Sequence, residues 1–484
     1  MKEKDLAEYA LDYVTSNGAT YADVRLVQIR HEMIEYKNGS PVGILKDLNG
    51  GMGIRVIVDG AWGFAANPDF TKDKVERAAK RAVENARAGA LIARDPIVMA
   101  PIPVVNEKWE TRVETDPFRV SLEEKLALLS MCDQTMRKVK GLSFAEGFLD
   151  FTEELKFFYS SEGSRIDQKI VHSGGGIQAT AIGEDETQVR SYPQSFGGDY
   201  VSGGYEHILG MNLPDSAQKI AEEAVGLLVA PQCPEETTTL ILGEGQLALQ
   251  VHESCGHPVE LDRALGWEAN FAGTSFMTPD RLGKLQYGSG IVNIVSDPTH
   301  PGGLGSYGFD DEGTPAKRDE IVRDGLFVGY LMSRETAAGL GRSSNAAMRA
   351  EGWSYAPIVR MTNVNLLPQK GTLDDLISET KKGLLMTTNR SWSIDDRRLN
   401  FQFGCEIAWE IRNGKIAGFY KNPTYTGITP VFWNKCGRIA GPESWRVWGV
   451  PNCGKGQPMQ TMRVGHGVSY ARFDDVQVGV GYAH

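Results

Sequence analysis

Between Asp5 and Val14 the apolar residues Leu6, Tyr9, Ala10, Tyr13 and Val14 recur at the spacing that lines one face of an α-helix, and Asn17-Gly18 ends the run. Two-residue alternation then takes over, across Ala22 to Ile29 and Met33 to Tyr36, with a turn at Asn38-Gly39. It resumes from Gly53 to Val58 before a turn at Asp59-Gly60, and a helical period returns from about Thr71 to Ala88. The order repeats further on. Ser121 to Val139 has a helical period, Phe144 to Ser160 alternates, Ser161-Glu162-Gly163-Ser164 turns, Gly174 to Ile182 reads as a strand and Asp215 to Val229 as a helix. Glycine pairs, Gly50-Gly51 and Gly175-Gly176, lie before corresponding strands. Residues 1–230 therefore read as an αβ domain, either internally duplicated or a chance succession of common elements.

Pro231-Gln232-Cys233-Pro234 marks a boundary. Beyond it, residues 231–484 are rich in glycine and strand formers. Thr237 to Leu242 is a β-branched and leucine run, Gly243-Glu244-Gly245 turns, and Gln246 to about His257 reads as one short helix. Gly290 to Val295, Leu326 to Met332, Ile358 to Leu366, Phe401 to Ile411 and Met459 to Val464 read as strands. The expected fold is α+β: an N-terminal αβ domain followed by a largely antiparallel sheet or barrel carrying the helix.

At 484 residues the chain is too long for one ordinary core, which agrees with two or three domains. A net charge of −11, with no basic run, argues against nucleic acid. The mixed charges of Met1 to Asp5 do not resemble a signal peptide, and no apolar window reaches the length of a membrane span. Six scattered cysteines lack disulfide-framework spacing, so a reduced, cytoplasmic protein is expected.

The chemistry concentrates in His252-Glu253-Ser254-Cys255-Gly256-His257. Zinc takes imidazole and thiolate ligands, a catalytic site leaves one position to water, and a glutamate beside a ligand is placed to take that water's proton. The familiar histidine pair is spaced by four positions, i and i+4, on one helical face. Here the separation is five, which a regular helix turns about 140° apart, against about 40° for four. Both rings reach one ion only if the helix holds a π-type turn or ends between them; otherwise they are unrelated histidines near a helix end. Gly256 and Pro258 supply a local cause for either departure.

With Glu260-Leu261-Asp262, Ala272-Gly273-Thr274-Ser275, Asp310-Asp311-Glu312-Gly313-Thr314-Pro315, Ser354-Tyr355-Ala356, Arg360-Met361-Thr362-Asn363, Cys453-Gly454-Lys455 and the earlier Glu110-Thr111-Arg112-Val113-Glu114, this motif resembles the TldD family of metallopeptidases over nearly the whole chain, in order. The resemblance implies metal ligands at His252, His257 and Cys453, a catalytic base at Glu253, and one ion per subunit, zinc or iron. It implies a peptide substrate. It further implies a dimer, either of identical chains or with a related PmbA/TldE-type subunit that lacks the metal motif.

Cys255, inside the motif, competes with Cys453 for the ligand role or is a buried thiol. Glu260 and Asp262 are candidates for holding imidazole N–H groups, and the acidic turn Asp310 to Glu312 for a cation site. Arg360 and Tyr355 are candidates for orienting a peptide carbonyl or terminus. His31, His172, His207, His300, His466 and His484 have no partner at ligand spacing and read as structural. Two other functions stay in play: a cysteine hydrolase using Cys255 or Cys453, and a non-catalytic metal- or peptide-binding subunit.

Overall fold

The computed structural model describes residues 3–270 and 273–480, so Ala272 and His484 lie outside the described residues. Helix Glu3–Ser16, strands Tyr21–Lys37, Ser40–Val58 and Ala61–Asn67, and helix Lys72–Ala90 come first. The same order follows in helix Leu122–Met136, strands Phe144–Ser160, Arg165–Ile182 and Thr187–Tyr192, and helix Leu213–Val229. Both sets belong to one eight-stranded sheet, joined by antiparallel pairing of Tyr21–Lys37 with Phe144–Ser160, from Asp23 opposite Ser160 to Lys37 opposite Glu146. Turn residues Asn38 and Gly39 are left-handed (φ 46° and 89°), which suits a two-residue hairpin. Half of the strand Ser40–Val58 escapes the alternation pattern because residues 40–49 form an arm with nearly every side chain in water.

Alternation assigns the two faces of this sheet opposite jobs. Val24, Leu26, Ile54 and Val56 face the helices and share a core with Val75, Ala79 and Ala82. Asp23, Arg25, Arg55, Lys156 and Gln168 point the other way and are also buried, against the later part of the chain. Arg55 bridges Asp23 (2.7 Å) and Glu312 (3.2 Å), and Lys156 pairs with Asp311 (3.0 Å). Gln168 accepts from the Gly308 and Phe309 amides, both at 3.0 Å. Asp311 and Glu312 are therefore answered by the protein's own cations, while Asp310 accepts from the backbone amides of Glu312, Thr314 and Met348, so the acidic turn is used internally rather than presented as a cation site.

Beyond Glu236 a nine-stranded sheet curls into a half-barrel. Its path runs through Asn389–Ile394, Asn400–Cys405, Pro423–Ile428, Ala471–Val480, Glu236–Leu242, Lys382–Met386, Ala408–Arg412 and Lys415–Tyr420, all antiparallel except Glu236–Leu242 with Lys382–Met386. Helix Glu244–Val251 is sunk in the largest core through Leu247, Ala248 and Val251, beside Leu240 and Leu242. A separate ribbon pairs Arg446–Lys455 with Gln460–Val468.

Several expected strands are shorter than the sequence pattern suggests. The run Phe401 to Ile411 divides at Glu406, because that buried carboxylate reaches Arg190 (2.7 Å) and Ser191 (2.7 and 2.8 Å) on the first sheet. Leu326 to Met332 keeps only Leu326–Phe327, and Ile358 to Leu366 becomes Ile358–Val359 and Val364–Leu366. Backbone there bonds to loops and side chains, which hydrophobic periodicity does not encode.

One loop links the first sheet to the site. Residues 193–198 fold onto Gly175 and Gly176, where Gly198 is left-handed (φ 80°) and a Cβ on it would lie 1.8 Å from the Gly175 carbonyl oxygen. Only glycine fits that approach.

The buried ion pairs give a stability test. Lys156→Met leaves Asp311 without its lysine and should lower unfolding free energy by about 3 kcal/mol in urea denaturation. Adding Asp311→Asn, which still accepts from the Ala350 amide, should restore part of the loss. Unchanged stability in Lys156→Met would show that the pair does not hold the sheet to its partner.

Candidate metal centre

Residues His252–Gly256 form a π-helical turn directly after the helix Glu244–Val251. The His257 amide donates to the His252 carbonyl at 3.1 Å, an i to i+5 bond that adds one residue to the turn and brings both rings to one side. The two rings stand edge to face with centroids 4.8 Å apart. Neighbours stabilise the irregular turn from behind. Tyr287 donates to the Ser254 carbonyl (3.1 Å) and Trp433 to the Ser254 hydroxyl (2.9 Å). Gln246, Tyr425 and Gln250 continue this buried chain at 2.7 and 2.9 Å. Gly256 lies against Met361, whose Sδ would be 2.1 Å from a Cβ there. A side chain at 256 would require Met361 to move aside.

Ligand atoms of His252, His257 and Cys453 all lie within 4.8 Å of one another and are buried. Cys453 comes from the ribbon strand Arg446–Lys455, and its Sγ sits 3.6 Å from His257 Nε2. A nitrogen and a sulfur ligand on a tetrahedral zinc, with bonds of about 2.05 and 2.3 Å, stand about 3.5 Å apart. Two imidazoles and a thiolate therefore fit such an ion in both chemistry and spacing. Among the described residues this is the one group of three such side chains so placed.

Electrostatics favour the ligating forms. Burial holds the His257 imidazole well below its ordinary pKa, against an upward pull from Cys453, and burial also lowers His252. Burial alone would raise the Cys453 thiol, but His257 and Arg360 outweigh it and bring the value down. Cys255 goes the other way: it points into the apolar core, and burial pushes it up to about 12.

The supporting carboxylates divide their work. Glu260 accepts from His257 Nδ1 at 3.0 Å, so Nε2 keeps its lone pair on the cysteine side. Glu260 is fully buried with Arg263 (3.4 Å), Lys455 (3.6 Å) and Arg360 (3.9 Å) around it. Asp262 holds no imidazole; it pairs with Lys455 at 2.7 and 2.8 Å and so ties the helix end to the cysteine strand. Arg360 is fully buried and donates to the carbonyls of Gln460 (2.8 Å) and Cys453, fixing the ligand strand rather than a substrate. Tyr355 offers its backbone carbonyl to Arg25 and does not line the cleft.

The cluster opens into a cleft of about 280 Å³. Its walls are the loop Gln194 to Gly198, the histidine-bearing helix, Asn389, Trp392 and Arg398 of an edge hairpin, and ribbon residues 449–454. Glu253 faces the cleft, its Oε2 accepting from Arg398 Nη1 at 2.6 Å. Phe196 and Trp392, both about half exposed, meet edge to face with centroids 5.4 Å apart.

Sequence reasoning missed Arg398 and the Gln194 to Gly198 loop, for which no local signal exists. It also left His466 structural, whereas that ring lies 2.8 Å from His252. The one available signal was glycine on both sides, in Gly465-His466-Gly467, a short way after Cys453. His31 is 3.0 Å from Asp150, and His207 is 3.7 Å from Asp199, both away from the centre.

The two cysteines can be separated by metal analysis. Cys453→Ala should lose most bound metal, while Cys255→Ala should stay near the parent content. The reverse result would assign the ligand to the wrong thiol.

Comparison with known proteins places the chain as a whole. Residues 22–86 match domain 1 of the PmbA/TldA metallopeptidases, 115–230 their central domain, and 235–480 their C-terminal domain. A metalloprotease of Methanocaldococcus jannaschii is 28% identical over 408 residues, 84% of this chain and 86% of its own length. A Saccharolobus solfataricus protein named as a zinc metalloprotease TldD homolog is 22% identical over 470 residues, covering 96% and 97%. The crystal structure of TldE from Thermococcus kodakarensis has the same fold, with a TM-score of 0.73 at 16% identity over 98% of this chain and 99% of that one. With three domain matches in chain order and full-length relatives, the chain belongs to the PmbA/TldD family of metallopeptidases.

Proposed function

We propose that this protein is a zinc-dependent peptidase that hydrolyses short or unfolded peptides, with the ion held by His252, His257 and Cys453 and with Glu253 as general base. The observation that carries the reading is the convergence of the His252 and His257 pair with Cys453, which lies 196 positions beyond His257, beside Glu253 in one cleft. The name of the Saccharolobus relative favours zinc over iron. A zinc ion bound there would supply Lewis acidity, lowering the pKa of water and polarising a carbonyl.

The chain's own residues do the remainder. Glu253 takes one proton from the attacking water and later gives it to the leaving amine, and the water's second proton follows from the new carboxylic acid to that amine, so peptide and water become a carboxylate and an ammonium with no net proton change at the glutamate. Arg398 orients the Glu253 carboxylate through their 2.6 Å ion pair. Strand Asn389–Ile394 is the edge of the nine-stranded sheet and borders the cleft. A peptide laid along it would gain backbone hydrogen bonds that do not read side chains, which favours extended substrates over folded ones.

The arm at residues 40–49 exposes Val42, Ile44, Leu45 and Leu48 along a strand edge. Such an edge is normally covered, and a second copy or a related PmbA/TldE-type subunit would cover it. Six free cysteines suit a reducing, cytoplasmic setting. No helix among the described residues is long and apolar enough to cross a membrane.

Glu253→Gln should retain metal and lose roughly 10²- to 10⁴-fold in kcat, measured on a quenched fluorescent peptide. A metal-loaded variant with parental activity would remove Glu253 from the mechanism, and activity that survives chelation would instead point to a cysteine hydrolase. Short peptides and denatured proteins should be cleaved and compact folded proteins spared. Rapid digestion of a stable globular protein would contradict the strand-edge reading.

A further inference from the structure

His466 is fully buried, and both of its ring nitrogens are engaged. Nδ1 lies 3.0 Å from the Val364 carbonyl oxygen, and Nε2 lies 2.8 Å from His252 Nδ1. A carbonyl oxygen can only accept, so His466 carries a proton on Nδ1. In the neutral ring Nε2 then has a lone pair and accepts, which places a proton on His252 Nδ1. His252 is left with its lone pair on Nε2, the nitrogen that remains for an ion. A doubly protonated His466 would be a buried cation with only an imidazole and a carbonyl beside it, an arrangement that burial disfavours.

We propose that His466 is a positioning residue that sets the tautomer and ring direction of His252. This rests on the metal-site reading above. The two imidazole ligands are thus supported differently. His257 donates to the carboxylate of Glu260, whose charge is offset by Arg263, Lys455 and Arg360. His252 donates to a neutral ring, so its support adds no negative charge on the helix side where Glu253 stands.

The backbone holds His466 to this task. It sits opposite Trp448 on the ribbon that also carries Cys453, so one hairpin delivers a thiolate to His257 and a hydrogen-bond acceptor to His252. The Gly465 amide donates to the Thr362 carbonyl (3.1 Å) and the Gly467 amide to Asn365 Oδ1 (2.6 Å), pinning both flanks. Rings of His252 and His466 stand 83° apart with centroids at 4.9 Å, which aims the Nε2 edge of one at the Nδ1 edge of the other.

Two measurements test the proposal. Long-range proton–nitrogen NMR of the full, zinc-free chain labelled with ¹⁵N-histidine should find both His252 and His466 protonated at Nδ1 and bare at Nε2. A proton on Nε2 of either ring overturns it. Zn²⁺ affinity, read by competition with a chromophoric chelator, should fall about 10- to 100-fold in His466→Leu. Most of it should return in His466→Gln, whose amide oxygen can accept from His252. A folded His466→Leu that binds zinc as tightly as the parent also overturns the proposal. If His466→Leu does not fold, the NMR result on the parent decides. Failure of the parent itself to bind zinc would strike the metal-site reading, while the tautomer result would stand by itself.

Discussion

His257 lies five positions after His252, and the site depends on absorbing that odd spacing within a helix. A regular α-helix would aim the rings apart, and inserting one residue as a π-turn brings them together. Such a turn gives up regular hydrogen bonding and must be compensated from outside. Tyr287 and Trp433 grip Ser254, while Met361 presses against Gly256. The loops that carry Tyr287 and Met361 and the helix Thr429–Asn434 that carries Trp433 are in this sense a clamp around an unfavourable turn.

Charge burial then decides how the separate parts are joined. An ion left alone in the interior costs several kcal/mol, which favours pairing a buried carboxylate with a cation. Asp311 and Glu312 find theirs on the first sheet, at Lys156 and Arg55, and the site-bearing half is thereby locked to it. Glu260 and Asp262 find Lys455, two residues beyond the cysteine. The helix end and the thiolate strand are thus bound by the same ion pairs that orient His257. A donor cluster assembled from such distant segments keeps its spacing through that stiffness.

The cleft follows from the same joinery. Its floor is the helix that carries the two histidines, but one wall is a loop seated on glycines of the first sheet and another is an edge hairpin of the second. Neither half alone encloses the site. The long arm at residues 40–49, by contrast, takes no part in the core.

Much of this was legible in the sequence because its causes are local. Helical and alternating periods at residues 5–14, 121–139 and 144–160 reflect faces that must be apolar whatever they pack on, and left-handed turns at Asn38-Gly39 and Asp59-Gly60 need residues that tolerate them. The spacing of His252 and His257, with Gly256 between them, already required an irregular helix if the two were to act together. What the sequence by itself could not decide was every contact between residues far apart in the chain. Glu406 dividing a strand, Lys156 answering Asp311, Arg398 meeting Glu253 and His466 meeting His252 depend on how elements pack. Side-chain partners of this kind leave no periodicity behind, because a single buried hydrogen bond or ion pair is set by three-dimensional proximity and not by neighbours in sequence.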